Sequence, residues 1–390
     1  MNKLKSIIKR CFPRLTTRLI NRRTHRGKIK NYYNSDHHKT ALLSYIKEPF
    51  KKSSISHTNY FEAQKIAETL HDLGFKVDII DYRYRDSLRS PYDIIIGFGE
   101  VFEEFFSFKF NAKTKTVLYS TGLHQYDQNR HTLERALQKY VIDNVWLLES
   151  CRLSDFSWYR QLFMCDKIIV LGNEFAAETF KSKNYHSSIS NIPAPFYQTV
   201  KYKDILNSKY VNSEKTFIWF GSSGALHKGL DVCIDYFKNA PEFRLIICGN
   251  VHKETKFWDF YQSDIENSEN IEYWGFVDLY SEKFNQLLRS AFFTIFPSCS
   301  EGGSPSQLTV IGNGAMIGIL TPQASIDLPH VAQLNDISSK ALEQSINTLR
   351  SLTMAEIVSK ARQNAEFVCH NNSQEIYSKR IHEAISKAVS

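Results

Sequence analysis

Apolar residues along this chain come in short runs of strand length, and stretches with helical spacing separate them. In the first half the runs are 40–46 (TALLSYI), 75–82 (FKVDIIDY), 93–99, 116–121 and 167–172. Between the first two, Phe61, Ala63, Ile66, Ala67, Leu70 and Leu73 recur at helical spacing, and Gly74 stops the helix. Further helical stretches lie near 131–141 and 173–181. Continuous apolar strands with helices between them predict a parallel sheet covered on both faces. Two prolines in 192–196 interrupt the pattern, and the polar stretch 202–215 reads as a linker. A second series follows, with strands at 216–221, 243–249, 271–275, 292–297 and 315–321. Helices fit 230–239, 255–265, 282–289 and 306–312, and two or three more occupy roughly 340–387. The expected fold is α/β, two tandem Rossmann-like domains facing across a cleft. Their expected extents are 36–200 and 213–370, with an arm over 1–35 and a C-terminal helix over 371–390.

Composition narrows this little. With 42% hydrophobic and 23% charged residues in 390, the chain is globular rather than disordered. Its apolar runs fall short of the ~18–20 residues that span a bilayer, which excludes a helical integral membrane protein. No apolar run of signal-peptide length follows the basic start, so no cleaved leader is expected. Seven scattered cysteines without C-x-x-C spacing point to reduced thiols in a cytosolic chain, and against a zinc site or disulfide framework.

Charge changes the picture more. Eleven of the 49 Lys and Arg lie in residues 1–30, which hold no acidic residue, so 38 remain against 41 Asp and Glu. The body is thus near neutral, and no nucleic-acid-binding face is expected on it. Within the arm, Leu4, Ile7, Ile8 and Cys11 form one helical stripe, with Lys3, Lys5, Lys9 and Arg10 mostly off it. This reads as an amphipathic element for an anionic membrane surface. A solvated basic tail and a transit peptide are the other readings.

Two segments carry candidate chemistry. In 297–321 (PSCSEGGSPSQLTVIGNGAMIGILT) a buried strand ends at Pro297, and a small polar loop leads to a helix. Ser304 suits the N-cap, Pro305 the first helical position, and Gln307 a capping box. Free N–H groups and the helix dipole beside Gly302 and Gly303 make an anion site; a plain strand–loop–helix junction is the bland alternative. In 221–231 (GSSGALHKGLD) a glycine-rich loop also joins a strand to a helix, and carries Lys228. A lysine here neutralises a departing diphosphate; otherwise it is a solvated surface lysine.

Together the segments resemble the group 1 (family 4) retaining glycosyltransferases of the GT-B fold. The Lys-Gly-Leu-Asp at 228–231 and the Pro-Ser-x-x-Glu-Gly at 297–302 carry the likeness, which covers about 213–370. The stretches 118–129 and 165–175 are similar to a polysaccharide-biosynthesis branch. The resemblance implies that Lys228 contacts the diphosphate of a nucleotide-sugar donor. It implies that Gly302, Gly303 and Ser304 offer backbone amides to that group, and that Glu301 faces the donor sugar. It also puts Gly221 and Ser222 in the donor loop, His124 at the donor sugar from across the cleft, and His57 and Asn59 at donor and acceptor. Two positions depart from the pattern. Thr309 stands where the family carries a second glutamate for the ribose, and Ser222 where an arginine is often found. No Asp-x-Asp motif stands out, so no metal is expected, and no cofactor beyond the nucleotide-diphosphate sugar as co-substrate.

The implied function is transfer of a sugar to a hydroxyl of a cell-surface glycan or lipid-linked acceptor, in the cytoplasm at the inner membrane face. A non-catalytic GT-B module binding a nucleotide sugar or a protein partner is the alternative, on the evidence of Thr309 and Ser222. A nucleic-acid binder using the basic arm is a third reading.

Overall fold

The computed structural model describes residues 27–51, 57–84, 91–108, 113–183 and 187–389. The amphipathic stripe expected at residues 4–11 therefore lies outside the described residues. Six strands build the first sheet: β1 (Lys39–Tyr45), β2 (Phe75–Asp81), β3 (Ile94–Gly97), β4 (Lys115–Ser120), β5 (Lys167–Leu171) and β6 (Ser188–Ile192). They run parallel in the order β2-β1-β3-β4-β5-β6. The helices among them are α1 (Thr58–Asp72), α2 (Glu100–Phe108), α3 (Gln125–Asp143), α4 (Arg160–Met164) and α5 (Glu174–Lys181). Every residue of β3 (IIIG) and β5 (KIIVL) is buried, as strands covered on both faces must be.

The stretch expected as a linker instead begins with a short helix, α6 (Tyr202–Leu206). Tyr202, Ile205 and Leu206 are buried there, because the segment packs against the second half rather than crossing solvent. The second sheet holds β7 (Thr216–Phe220), β8 (Arg244–Cys248), β9 (Ile271–Gly275), β10 (Phe293–Phe296), β11 (Ile317–Leu320) and β12 (Val331–Gln333). Its parallel order is β12-β11-β10-β7-β8-β9. Around it lie α7 (Leu230–Phe237), α8 (Thr255–Asn267), α9 (Glu282–Ser290) and α10 (Pro305–Gly314), then α11 (Ser339–Arg350), α12 (Met354–Asn371) and α13 (Gln374–Val389).

Two helices tie the halves together. The last, α13, returns to the first sheet and packs on α1; its buried Tyr377 hydroxyl is 3.0 Å from that of Tyr119 on β4. Helix α3 lies against the second half: Ala136 belongs to the second core, and Arg135 pairs with Asp231 of α7 at 2.5 Å. Among the described residues no helix is long and apolar enough to cross a membrane.

Candidate active site

Parallel sheets bind ligands beyond the carboxyl ends of their strands, at the point where the strand order reverses. That point lies between β1 and β3 in the first sheet and between β7 and β10 in the second. The loops leaving these strands face one another around a cavity of about 1250 Å³. Residues after β1, β2, β3 and β4 line one wall, and residues after β7, β8, β9 and β10 the other.

On the second wall, Lys228 and Glu301 meet at 3.1 Å. Gly229 fixes the approach. Its φ of +65° suits glycine, and a Cβ there would stand 2.4 Å from the Pro297 carbonyl oxygen. The two loops therefore touch, and the buried ammonium of Lys228 reaches both Glu301 and the Ser223 carbonyl, 3.1 Å away. Arg152 approaches the same carboxylate at 3.4 Å. Burial opposes the Glu301 charge, but Lys228 and then Arg152 outweigh it and hold the carboxyl well below its usual range. Burial, reinforced by Arg152, lowers Lys228 despite its partner. With two cations against one anion, the cluster keeps a net positive charge facing the cleft.

Its neighbours are locked. Burial, then Lys228, push the His227 imidazole down to about 3, so the ring is neutral. Its Nε2 must then donate to the Ser300 carbonyl at 2.6 Å, leaving Nδ1 to accept from the Thr132 hydroxyl at 3.1 Å. The Glu254 carboxylate accepts the N–H groups of Gly224 and Ala225 at 2.6 and 2.9 Å. The glycine-rich loop is thus pinned, and its free polar edge toward the cleft is Ser222 and Ser223, beside Gly221.

The N-terminus of α10 also opens on the cleft, through Gly302, Pro305, Ser306 and Thr309. Among the described residues the N–H groups of Gly302, Gly303 and Ser304 carry no hydrogen bond. Gly302 must be a glycine for a second reason: a Cβ would meet the Thr121 carbonyl oxygen of the opposite domain at 2.2 Å. The capping box expected at 304–307 does not form. Ser304 sits at φ +35° and turns its hydroxyl away, to the Ala324 carbonyl at 2.7 Å. Gln307 instead bridges β7 and β10, donating to the Phe220 carbonyl and accepting from Thr294. Gly303 and Ser304 are buried behind the loop rather than lining it. Thr309 lines the cleft, and its hydroxyl donates to the Pro305 carbonyl of its own helix at 2.8 Å.

On the first wall, His57 caps α1, its Nδ1 accepting the Asn59 N–H at 3.2 Å. Burial and the charges of Arg152 and Lys228 lower its pKa. Among the described residues the buried Asn59 side-chain oxygen has no hydrogen-bond partner, an unsatisfied acceptor in the cleft wall. His124, expected at the donor sugar, is not among the residues lining the cleft. It caps α3 and is buried against Phe180, ring centroids 5.2 Å apart, because its backbone N–H is held by Thr179. Thr121 is the residue of that loop lining the cleft.

Deeper in this wall lies a group with no sequence signal. Glu62 is fully buried, accepts from the Tyr45 and Tyr119 hydroxyls at 3.0 Å each, and is pushed up to about 7 by burial. The folded state therefore prefers the neutral acid. Stability is full below the ordinary value of 4.5 and is lost as pH rises toward about 7. Glu62→Gln removes the titration. We expect the variant to match the parent near pH 4.5 and to exceed it at pH 8 by up to about 3 kcal/mol, read from denaturant midpoints.

Arg152, Glu254 and Glu62 are the site residues that sequence reasoning missed. Each stands alone in a loop or helix without motif spacing, so only their placement in space marks them.

No family model matches the chain, and no curated protein matches it. Solved structures do. Sucrose-phosphate synthase from Thermosynechococcus elongatus superposes with a TM-score of 0.63 at 12% identity, over 90% of this chain and 98% of that one. A glycosyltransferase from Rickettsia africae gives 0.57 at 12% identity, over 91% and 100%. Anabaena HepE, solved in complex with UDP and glucose, gives 0.55 at 12% identity, over 90% and 100%. At such identities the likeness is one of fold, and with both sheet orders in hand it establishes that this chain has the GT-B fold, two Rossmann-like domains facing across a cleft.

Proposed function

We propose that the chain is a glycosyltransferase that moves a sugar from a nucleoside-diphosphate donor to a hydroxyl of a glycan or lipid-linked acceptor. One observation carries this reading: Lys228, Glu301 and the free N–H of Gly302, ahead of α10, meet at the cavity where the strand order reverses. As the bond from the sugar to its phosphate breaks, negative charge grows on the departing diphosphate. Lys228 and the α10 N-terminus meet that charge with fixed donors, and the transfer needs no metal. Glu301, held ionised, faces the developing positive charge of the sugar ring. Retention of configuration comes with the family resemblance. Asn59 and His57 offer an acceptor and a neutral imidazole to the acceptor sugar. The likeness to HepE, which was solved with UDP and glucose, supports a nucleotide sugar as the donor class.

The arm adds an anionic membrane surface as a partner, placing the enzyme at the cytoplasmic face. Each basic residue near such a surface contributes about 1 kcal/mol, decaying over a Debye length of ~8 Å. A chain lacking residues 1–30 should no longer sediment with anionic vesicles at low salt, and should keep transfer to a water-soluble acceptor. Equal, salt-insensitive sedimentation of both chains would refute the anchor.

A thermal-shift panel of nucleotide sugars tests the donor. A hundredfold excess over Kd stabilises by about 2.7 kcal/mol. Stabilisation without any cleavage of the donor would favour the non-catalytic module, to which Thr309, bonded to its own helix, already points.

A further inference from the structure

A diphosphate is a polyanion, and Lys228 alone meets it poorly. Its ammonium is already matched by Glu301, so the pair offers little net charge. The cleft-facing edge of the glycine-rich loop adds no charge, since Ser222 and Ser223 are neutral. Among the described residues, the other cations lining the cavity are Arg83, Arg152 and Lys253. Arg83 is paired with Asp81 at 3.1 Å and lies over the Tyr82 ring, on the far wall. Lys253 opens from the loop after β8.

Arg152 is placed differently. It comes from the first half of the chain, yet its segment is clamped to the Lys228 loop and to the start of α8. The His227 N–H donates to the Ser150 carbonyl at 3.1 Å, and the Lys256 N–H donates to the Glu149 carboxylate. The Arg152 stem crosses Gly224, where a Cβ would stand 2.9 Å from its Cδ. Its guanidinium reaches the oxygen of Glu301 that Lys228 leaves free. That contact, 3.4 Å, is longer than the 2.7–2.9 Å of a charge-assisted bond. The side chain is also 46% exposed, so it re-aims at little cost.

We propose that Arg152 is a further catalytic residue. It turns from Glu301 onto the donor's diphosphate beside Lys228, and supplies the cation that position 222 lacks. This inference rests on the donor reading above. A planar guanidinium suits the task, because it grips a phosphate through two parallel N–H donors.

The test measures binding of UDP, ADP, GDP, inorganic pyrophosphate and uridine to the full chain and to Arg152→Ala, Arg152→Gln, Arg152→Lys and the double variant Arg152→Ala with Ser222→Arg. We expect Arg152→Ala and Arg152→Gln to weaken UDP and pyrophosphate by about tenfold to a hundredfold, the loss of one or two charged hydrogen bonds. Uridine binding should not move. Lysine should keep part of the affinity. Ser222→Arg should restore about tenfold or more in the alanine background, because residue 222 is exposed on the cleft wall beside Lys228. UDP affinity within twofold of the parent in folded Arg152→Ala and Arg152→Gln would overturn the proposal. So would an equal loss for uridine and UDP, since that would mean Arg152 only shapes the site through Glu301. A parent chain that binds neither pyrophosphate nor any of UDP, ADP and GDP overturns the donor reading itself, and this inference with it.

Discussion

Lys228→Ala lowers the rate of sugar transfer by about 10²–10³, a loss of roughly 2–4 kcal/mol of transition-state stabilisation. The ammonium is buried between Glu301 and the Ser223 carbonyl, so it is aimed before the donor arrives and needs no reorganisation as charge develops. Glu301 keeps Arg152 as a partner in the variant, so the fold survives. The loss should fall on turnover at saturating donor rather than on the melting temperature. Because burial lowers the lysine, parent activity should also decline with rising pH before the ordinary lysine range is reached. Turnover equal to the parent would remove Lys228 from the diphosphate site.

Arg135→Ala is expected to cost about 3–5 kcal/mol in stability. Arg135 and Asp231 are 5% and 4% exposed and sit 2.5 Å apart, joining α3 to α7 across the two halves. Removing the guanidinium leaves a buried carboxylate without its charge partner. The pair is costly even when intact, since among the described residues Arg135 Nε and Asp231 Oδ1 have no hydrogen-bond partner. Replacing both with apolar residues, as Arg135→Met with Asp231→Leu, should therefore recover most of the loss. Urea unfolding of the three chains checks this. A single variant losing less than about 1 kcal/mol would mean that solvent reaches the carboxylate. Transfer should fall with stability, because α3 also holds Thr132 against His227, next to Lys228.

Much of the architecture was legible because buried parallel strands read as unbroken apolar runs. TALLSYI and KIIVL need both faces covered, and the structure covers both. Two of the four edge strands were not legible. β6 (SISNI) and β12 (VAQ) pair on one side only and carry polar residues, so they have no hydrophobic signature. Helix α6 was hidden for the opposite reason. Three apolar residues in a polar stretch, Tyr202, Ile205 and Leu206, are enough to seat it against α12 and α10.

At the site, the two glycine-bearing loops were visible because glycine and lysine at fixed offsets are local features. Their tertiary use was not. Ser304 looks like an N-cap by type, but the approach of the loop after β11 draws its hydroxyl to Ala324. His124 follows a strand as a cleft histidine would, but Thr179 holds its backbone N–H and its ring packs against Phe180. Arg152, Glu254 and Glu62 gain meaning only from partners 149, 30 and 57 residues away in sequence.

The most direct test of the central claim is release of nucleoside diphosphate from a panel of nucleotide sugars, with the parent chain and Lys228→Ala side by side. The account predicts that the parent cleaves at least one donor, slowly to water and faster with a glycan acceptor, and that the variant loses about 10²–10³ of that rate. A parent that cleaves none of them, or a variant that cleaves as fast as the parent, would contradict it.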